Sequence, residues 1–341
     1  MSRKINLIKL KILLLALSLI IVFEAYLLLQ TDKELPQNLS RDEKIWSDKI
    51  KELGAEAAYQ YFKSQTEKFS PGQQHTQAHL FGETLYKQLG VGGVSICDDS
   101  YAFGCYHAFL GTAIGSEGLQ VVSVLNEKCI DKLRSQALGC QHGIGHGILA
   151  DLGYDFKNLV EALDVCDSLT VKDPIGGCIG GVFMEYNFQT MLAGDGRTRV
   201  LDETNPYYPC REIDEKYRPA CFFWQGQWWG NILPGDYPQR YSQIGNLCDN
   251  IQKISEQEQC FLGSGNTVGQ FVNWSADETI KLCNKIQSHK GRLGCRAGAA
   301  GSFMAEPKAK EEAYKLCEDF SEKDKQNCLK LAHLSISGNS Q

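Results

Sequence analysis

Fourteen cysteines constrain this chain more than any other feature. They stand at 97, 105, 129, 140, 166, 178, 210, 221, 248, 260, 283, 295, 317 and 328, as seven neighbouring pairs separated by 8, 11, 12, 11, 12, 12 and 11 positions. The gaps between pairs are longer and irregular, from 22 to 32 positions. A short regular spacing beside a long irregular one implies a repeating unit. The interval between second cysteines, 33 to 43 residues, suits a helical hairpin.

Alignment on the second cysteine makes the unit legible: "CYHAFLG", "CQHGIGHG", "CIGGVFME", "CFFWQGQW", "CFLGSGNT", "CRAGAAGS". Gly143, Gly181, Gly263 and Gly298 each follow their cysteine by three positions, on a face where a missing side chain lets two backbones approach. Amphipathic runs precede the first cysteine of five pairs, as in "LVEALDVC" and "EEAYKLC". The unit is therefore expected to be a helix ending near one cysteine, a short polar turn, and a second helix opening near the other. A bridge across such a turn needs Cα atoms about 5.5–6 Å apart and contributes roughly 3 kcal/mol in the chain-entropy picture. We expect the seven local pairs, 97–105, 129–140, 166–178, 210–221, 248–260, 283–295 and 317–328, over other connectivities. A cysteine-free eighth unit precedes them, with one helix over 41–64 and a second over 75–90. No strand-like alternation of any length interrupts the body, so the fold is expected to be all-α.

In architecture, over about residues 41–333, these repeats resemble disulfide-stapled relatives of tetratricopeptide-type helical hairpins. The resemblance implies a curved solenoid; an α/α toroid, whose inner helices also open with glycines, is the close alternative. The chain lacks that family's tryptophan, leucine-glycine and tyrosine signature, so the resemblance carries over no functional residue.

Ahead of the repeats, residues 1–11 are basic, and 12–29, "ILLLALSLIIVFEAYLLL", are apolar except for Glu24. Eighteen helical residues rise about 27 Å, close to a bilayer core. The run is long for a signal peptide and has no small-residue cleavage pair, so the expectation is an uncleaved signal-anchor with its basic end in the cytoplasm. That gives a cytoplasmic segment 1–11, a transmembrane helix 12–29, a linker 30–40, an extracytoplasmic repeat domain 41–335 and a tail 336–341, at the cell membrane in a single pass. Paired cysteines suit that compartment. With 35 basic against 41 acidic residues, the chain is no nucleic-acid binder.

Five of the seven histidines, His75, His79, His107, His142 and His146, fall in the first three units. His79, His107 and His142 share the column two past the cysteine position, and His146 stands six past it. At 100° per residue these columns lie near 200° and 240°, away from the bridge. The column six past the cysteine reads Glu83, Gly111, His146, Met184, Gln227, Asn266 and Gly301, mostly polar, which suggests a solvent-lined groove. His75/His79 and His142/His146 are i,i+4 pairs, the spacing at which two imidazoles grip one ion from one helix. Zinc on His75, His79, His107, His142 and His146, with Glu83 or Glu185 as general base, makes a hydrolase conceivable. "HGIGH" lacks the glutamate that zinc proteases carry beside the first histidine, and "CxxC" is absent throughout. The other expectation, which sequence favours by a small margin, is a binding module. It would take a protein, peptide or glycan in the groove, at Gln227, Asn266 and an aromatic platform of Trp224, Trp228 and Trp229. The polar excursion 187–210 is expected to act as a lid at one end.

Overall fold

The histidine-bearing helices begin where the sequence prepares them to. A computed structural model describes residues 39–337, apart from 102, 134–136, 171–172, 174, 192–196 and 307. Among the described residues everything regular is helical, with no strand. Helix α1 (Leu39–Leu53) and α2 (Ala55–Thr66) occupy the segment expected as one helix. Gly54 separates them with a φ of 80°, a conformation open to glycine at little cost. Helix α3 (Pro71–Leu89) starts at a capping box in which Ser70 and Gln73 satisfy each other's backbone N–H groups.

The repeats follow as expected in five units. First helices α5 (Val122–Leu133), α7 (Phe156–Asp167), α10 (Tyr237–Asp249), α13 (Ala276–Cys283) and α15 (Lys310–Glu318) carry the first cysteines. Second helices α4 (Gly104–Glu117), α6 (Ala137–Leu152), α8 (Cys178–Phe188), α9 (Arg218–Ile232), α11 (Ile254–Asn266), α14 (His289–Ala305) and α16 (Glu322–Ser337) carry the second, with a one-turn α12 (Val268–Phe271) after α11. Two units depart from the pattern. Cys97 follows a 3-10 segment, Gly90–Ile96, and Cys210 sits among turns closing the excursion, where Pro206 and Pro209 leave no room for a helix. All seven local bridges form, with Cα–Cα distances from 5.4 to 5.8 Å.

Residues from Trp46 onward form one compact body. Within it each second helix packs on the next, from α3 through α4, α6, α8, α9, α11 and α14 to α16, while α5, α7, α10, α13 and α15 cover their flanks. Glycines set the closeness of that row. A β-carbon on Gly181 would run into the His142 carbonyl, one on Gly263 into the Phe223 carbonyl, and one on Gly298 into the Leu262 carbonyl. The contact is reciprocal, because Gly145, Gly226 and Gly265 lie equally tight against the carbonyls of Cys178, Cys260 and Cys295. Only hydrogen fits at these crossings. Between α4 and α6 the spacing differs. There the nearest atoms to a β-carbon on Gly143 or Gly147 are the side chains of Leu110 and Ile114, with α4 backbone at ordinary contact distance behind them.

Residues 1–38 and 338–341, which hold the basic segment, the apolar run 12–29, most of the linker and most of the tail, lie outside the described residues. Among the described residues no helix is long and apolar enough to cross a membrane.

Candidate metal centre

Two turns and a strained loop bring the first three histidines together. His75 and His79 stand on the opening turns of α3. Before α4 the chain reverses through Tyr101 (φ 56°) and Phe103 (φ 61°), two non-glycine residues in the left-handed region, a conformation that costs of order 1 kcal/mol or more each. The turn aims the Tyr101 carbonyl at His75 Nδ1, 2.7 Å away. Gly104 then opens α4 in a space where a β-carbon would crowd the His75 carbonyl and ring. On α4, His107 faces both: ring centroids are 4.4 Å apart for His75 and His79, and 5.9 Å from each of these to His107. One ring nitrogen from each of the three lies within 4.8 Å of the others. Tetrahedral ligands at 2.0–2.1 Å from zinc stand about 3.4 Å apart, so small side-chain rotations separate this cluster from coordination geometry.

The row continues. His107 lies 4.9 Å from His146, and His146 4.9 Å from His142, whose ring meets Trp224 at 5.4 Å. All five histidines of the sequence pattern therefore converge in one run across α3, α4 and α6, rather than lying spread at repeat spacing. The column two past the cysteine then turns to Gly180, Phe223, Leu262 and Ala297, which ends the cluster at the third helix.

Hydrogen bonds fix which nitrogen each ring presents. Carbonyl oxygens only accept, so Nδ1 of His75 carries hydrogen toward Tyr101, and Nδ1 of His142 carries it toward Gly176, 3.1 Å away. His146 Nδ1 donates to Glu185 Oε2 at 2.7 Å, in a pair only 1% and 0% exposed. The same carboxylate accepts from Tyr154 (2.6 Å), Thr190 (2.6 Å) and the Met191 N–H (2.9 Å). Burial alone would raise the Glu185 carboxyl; the hydrogen bonds from His146, Thr190 and Tyr154 outweigh it and hold the group below its ordinary value. In all three rings Nε2 is the nitrogen not engaged in these bonds, and that of His146 is buried with no hydrogen-bond partner, as is His79 Nε2. Burial, with neighbouring imidazoles, pushes His79 down to about 4, His142 to about 3, and His107 well below its ordinary value. Neutral rings with an oriented lone pair are the form a metal ion binds.

Comparison with protein-family models, curated proteins and solved structures finds no match.

The remaining expected site residues are placed elsewhere. Glu83 is exposed and pairs with Lys87 at 2.7 Å. Glu185 holds His146, not a water-facing position. The column expected to line a groove is buried at His146 and Gln227 and half-buried at Gly111, Met184 and Asn266. Gln227 donates to Asn266 at 3.1 Å, so the two satisfy each other. Trp228 and Trp229 are fully buried and Trp224 nearly so, which removes the aromatic platform. Arg199 lies 3.5 Å over the Trp228 ring and also binds Asn187, the Tyr208 carbonyl and Gln225. Thr198 accepts from Trp228 Nε1 at 2.6 Å. The excursion is thus pinned at Thr190–Met191 and again at Thr198–Arg199, unlike a free lid. Sequence reasoning missed Tyr101, Tyr154, Gly176 and Thr190, all in turns that no regular pattern marks.

Proposed function

We propose that this chain is an exported, membrane-tethered metal-dependent hydrolase with zinc as its ion. The observation that carries the reading is the convergence of His75, His79 and His107, each offering a nitrogen within 4.8 Å of the other two. Three histidines leave a fourth position for water, and a zinc ion there lowers the pKa of that water toward 7. This chain's residues supply the rest. The Tyr101 carbonyl holds the His75 ring in one tautomer. Glu185 does the same for His146, which stands beside His107 in the same run of rings.

Seven local disulfides among the described residues support an oxidising compartment, and the apolar run 12–29 supports a tether with residues 1–11 in the cytoplasm. The successive packing of second helices supports a curved solenoid of the tetratricopeptide type, or a near-closed toroid. A groove that binds a protein, peptide or glycan has less support, since Gln227, Asn266 and the tryptophans are engaged internally.

The test is elemental analysis of the full-length chain, purified in mild detergent from an oxidising compartment. Near-stoichiometric zinc, lost in His79→Ala and His107→Ala while all seven bridges remain, is expected. A fully bridged chain that takes up no zinc when supplied with it would falsify the reading.

A further inference from the structure

We propose that His142 and His146 form a second cation site beside the first, so that the centre holds two divalent transition ions of the zinc class. The inference rests on the metal reading above and deepens it. One ion cannot serve all five histidines. Ligand nitrogens stand about 2.0–2.1 Å from zinc, whereas the rings step along the row at 4.4 to 5.9 Å, with His107 and His146 between the two ends. Among the described residues the compact three-nitrogen cluster comprises His75, His79 and His107.

His142 and His146 remain, and they are built as ligands. They are an i,i+4 pair on α6 with centroids 4.9 Å apart. Each gives its Nδ1 hydrogen to a fixed acceptor, the Gly176 carbonyl for one and Glu185 for the other, so each presents Nε2. A carboxylate–histidine pair of this kind orients metal ligands and raises their basicity. Tyr154, Thr190 and the Met191 N–H in turn hold the carboxylate, which is more support than a simple packing histidine requires. Most telling is His146 Nε2: it lies in a side chain 1% exposed and has no hydrogen-bond partner. A buried polar nitrogen left unpaired costs about 1–3 kcal/mol, and a cation bound through it would satisfy it. Two protein nitrogens leave the second ion's other positions for water or a substrate oxygen, the arrangement in which two ions clamp one oxygen-rich substrate.

The test is an equilibrium titration of the full-length, fully bridged chain with zinc against a chromophoric chelator. Two equivalents are expected in the parent chain and one in His142→Ala. His142→Gln, which keeps a donor for the Gly176 carbonyl, is also expected to bind one, and it serves if the alanine variant does not fold. One equivalent in the parent, unchanged in both variants, overturns this inference and leaves the first site standing. No zinc at all overturns both.

Discussion

Four donors converge on the Glu185 carboxylate, and a carboxamide cannot accept all four. Glu185→Gln would turn an amide N–H₂ against one of them inside the core. The expected cost is about 2–3 kcal/mol in denaturant unfolding, together with a drop of about 10- to 100-fold in zinc affinity, measured by competition titration. A structural carboxylate with no metal behind its histidine would show the first loss and not the second. A second residue, in the loop that carries the Tyr101 carbonyl, gives a pH signature. Asp98 takes hydrogen bonds from Lys63, Tyr59 and Ser100, which overcome the effect of its burial and lower its carboxyl. A carboxyl lower in the folded chain than in the unfolded one stabilises the fold above its unfolded value near 4, and that stability is lost as pH falls through the folded value. Asp98→Asn is therefore expected to cost about 1–2 kcal/mol at pH 7 and progressively less below about pH 4, read from unfolding curves across pH. Side-chain identity announced the histidine pairs in the sequence, because i,i+4 spacing fixes a shared helix face. The Tyr101 and Gly176 acceptors were illegible there, since any residue owns a carbonyl and only the turn decides where it points.

Helix packing depends on which glycines face backbone and which face water. Gly265→Ala would drive a methyl into the Cys295 carbonyl and push α11 from α14. A loss of about 1–3 kcal/mol is expected, seen as a lowered melting temperature. Gly115, exposed near the end of α4 with nothing within reach of a β-carbon, predicts the opposite sign: Gly115→Ala is expected to gain about 0.5–1 kcal/mol. Equal effects from the two would overturn the packing account. The sequence carries both halves of this interface but not their pairing. Gly181, Gly263 and Gly298 recur three past the cysteine and their partners Gly145, Gly226 and Gly265 recur five past it, yet nothing in the sequence says that the two columns face each other. The division of the helix expected over 41–64 at Gly54 also escaped notice, because a lone glycine in a helical pattern is tolerated as often as it breaks one.

Over the whole chain the cysteine rhythm was the strongest guide, and its seven local pairs form as expected. The irregular unit ending at Cys210 was harder to read, since its excursion is held by Arg199 on Trp228, a contact between distant positions. Replacing Cys283 and Cys295 by serine is expected to lower stability by about 3 kcal/mol, the loop-closure contribution of one bridge of 12 residues. Every bridge closes a loop of 8 to 12 positions, and none joins one unit to the next. The covalent thread between neighbouring units is therefore a single strand of backbone. A protease that cuts anywhere between Cys178 and Cys210 should release two fragments on a denaturing gel without any reductant, whereas a cut inside a bridged turn should release none.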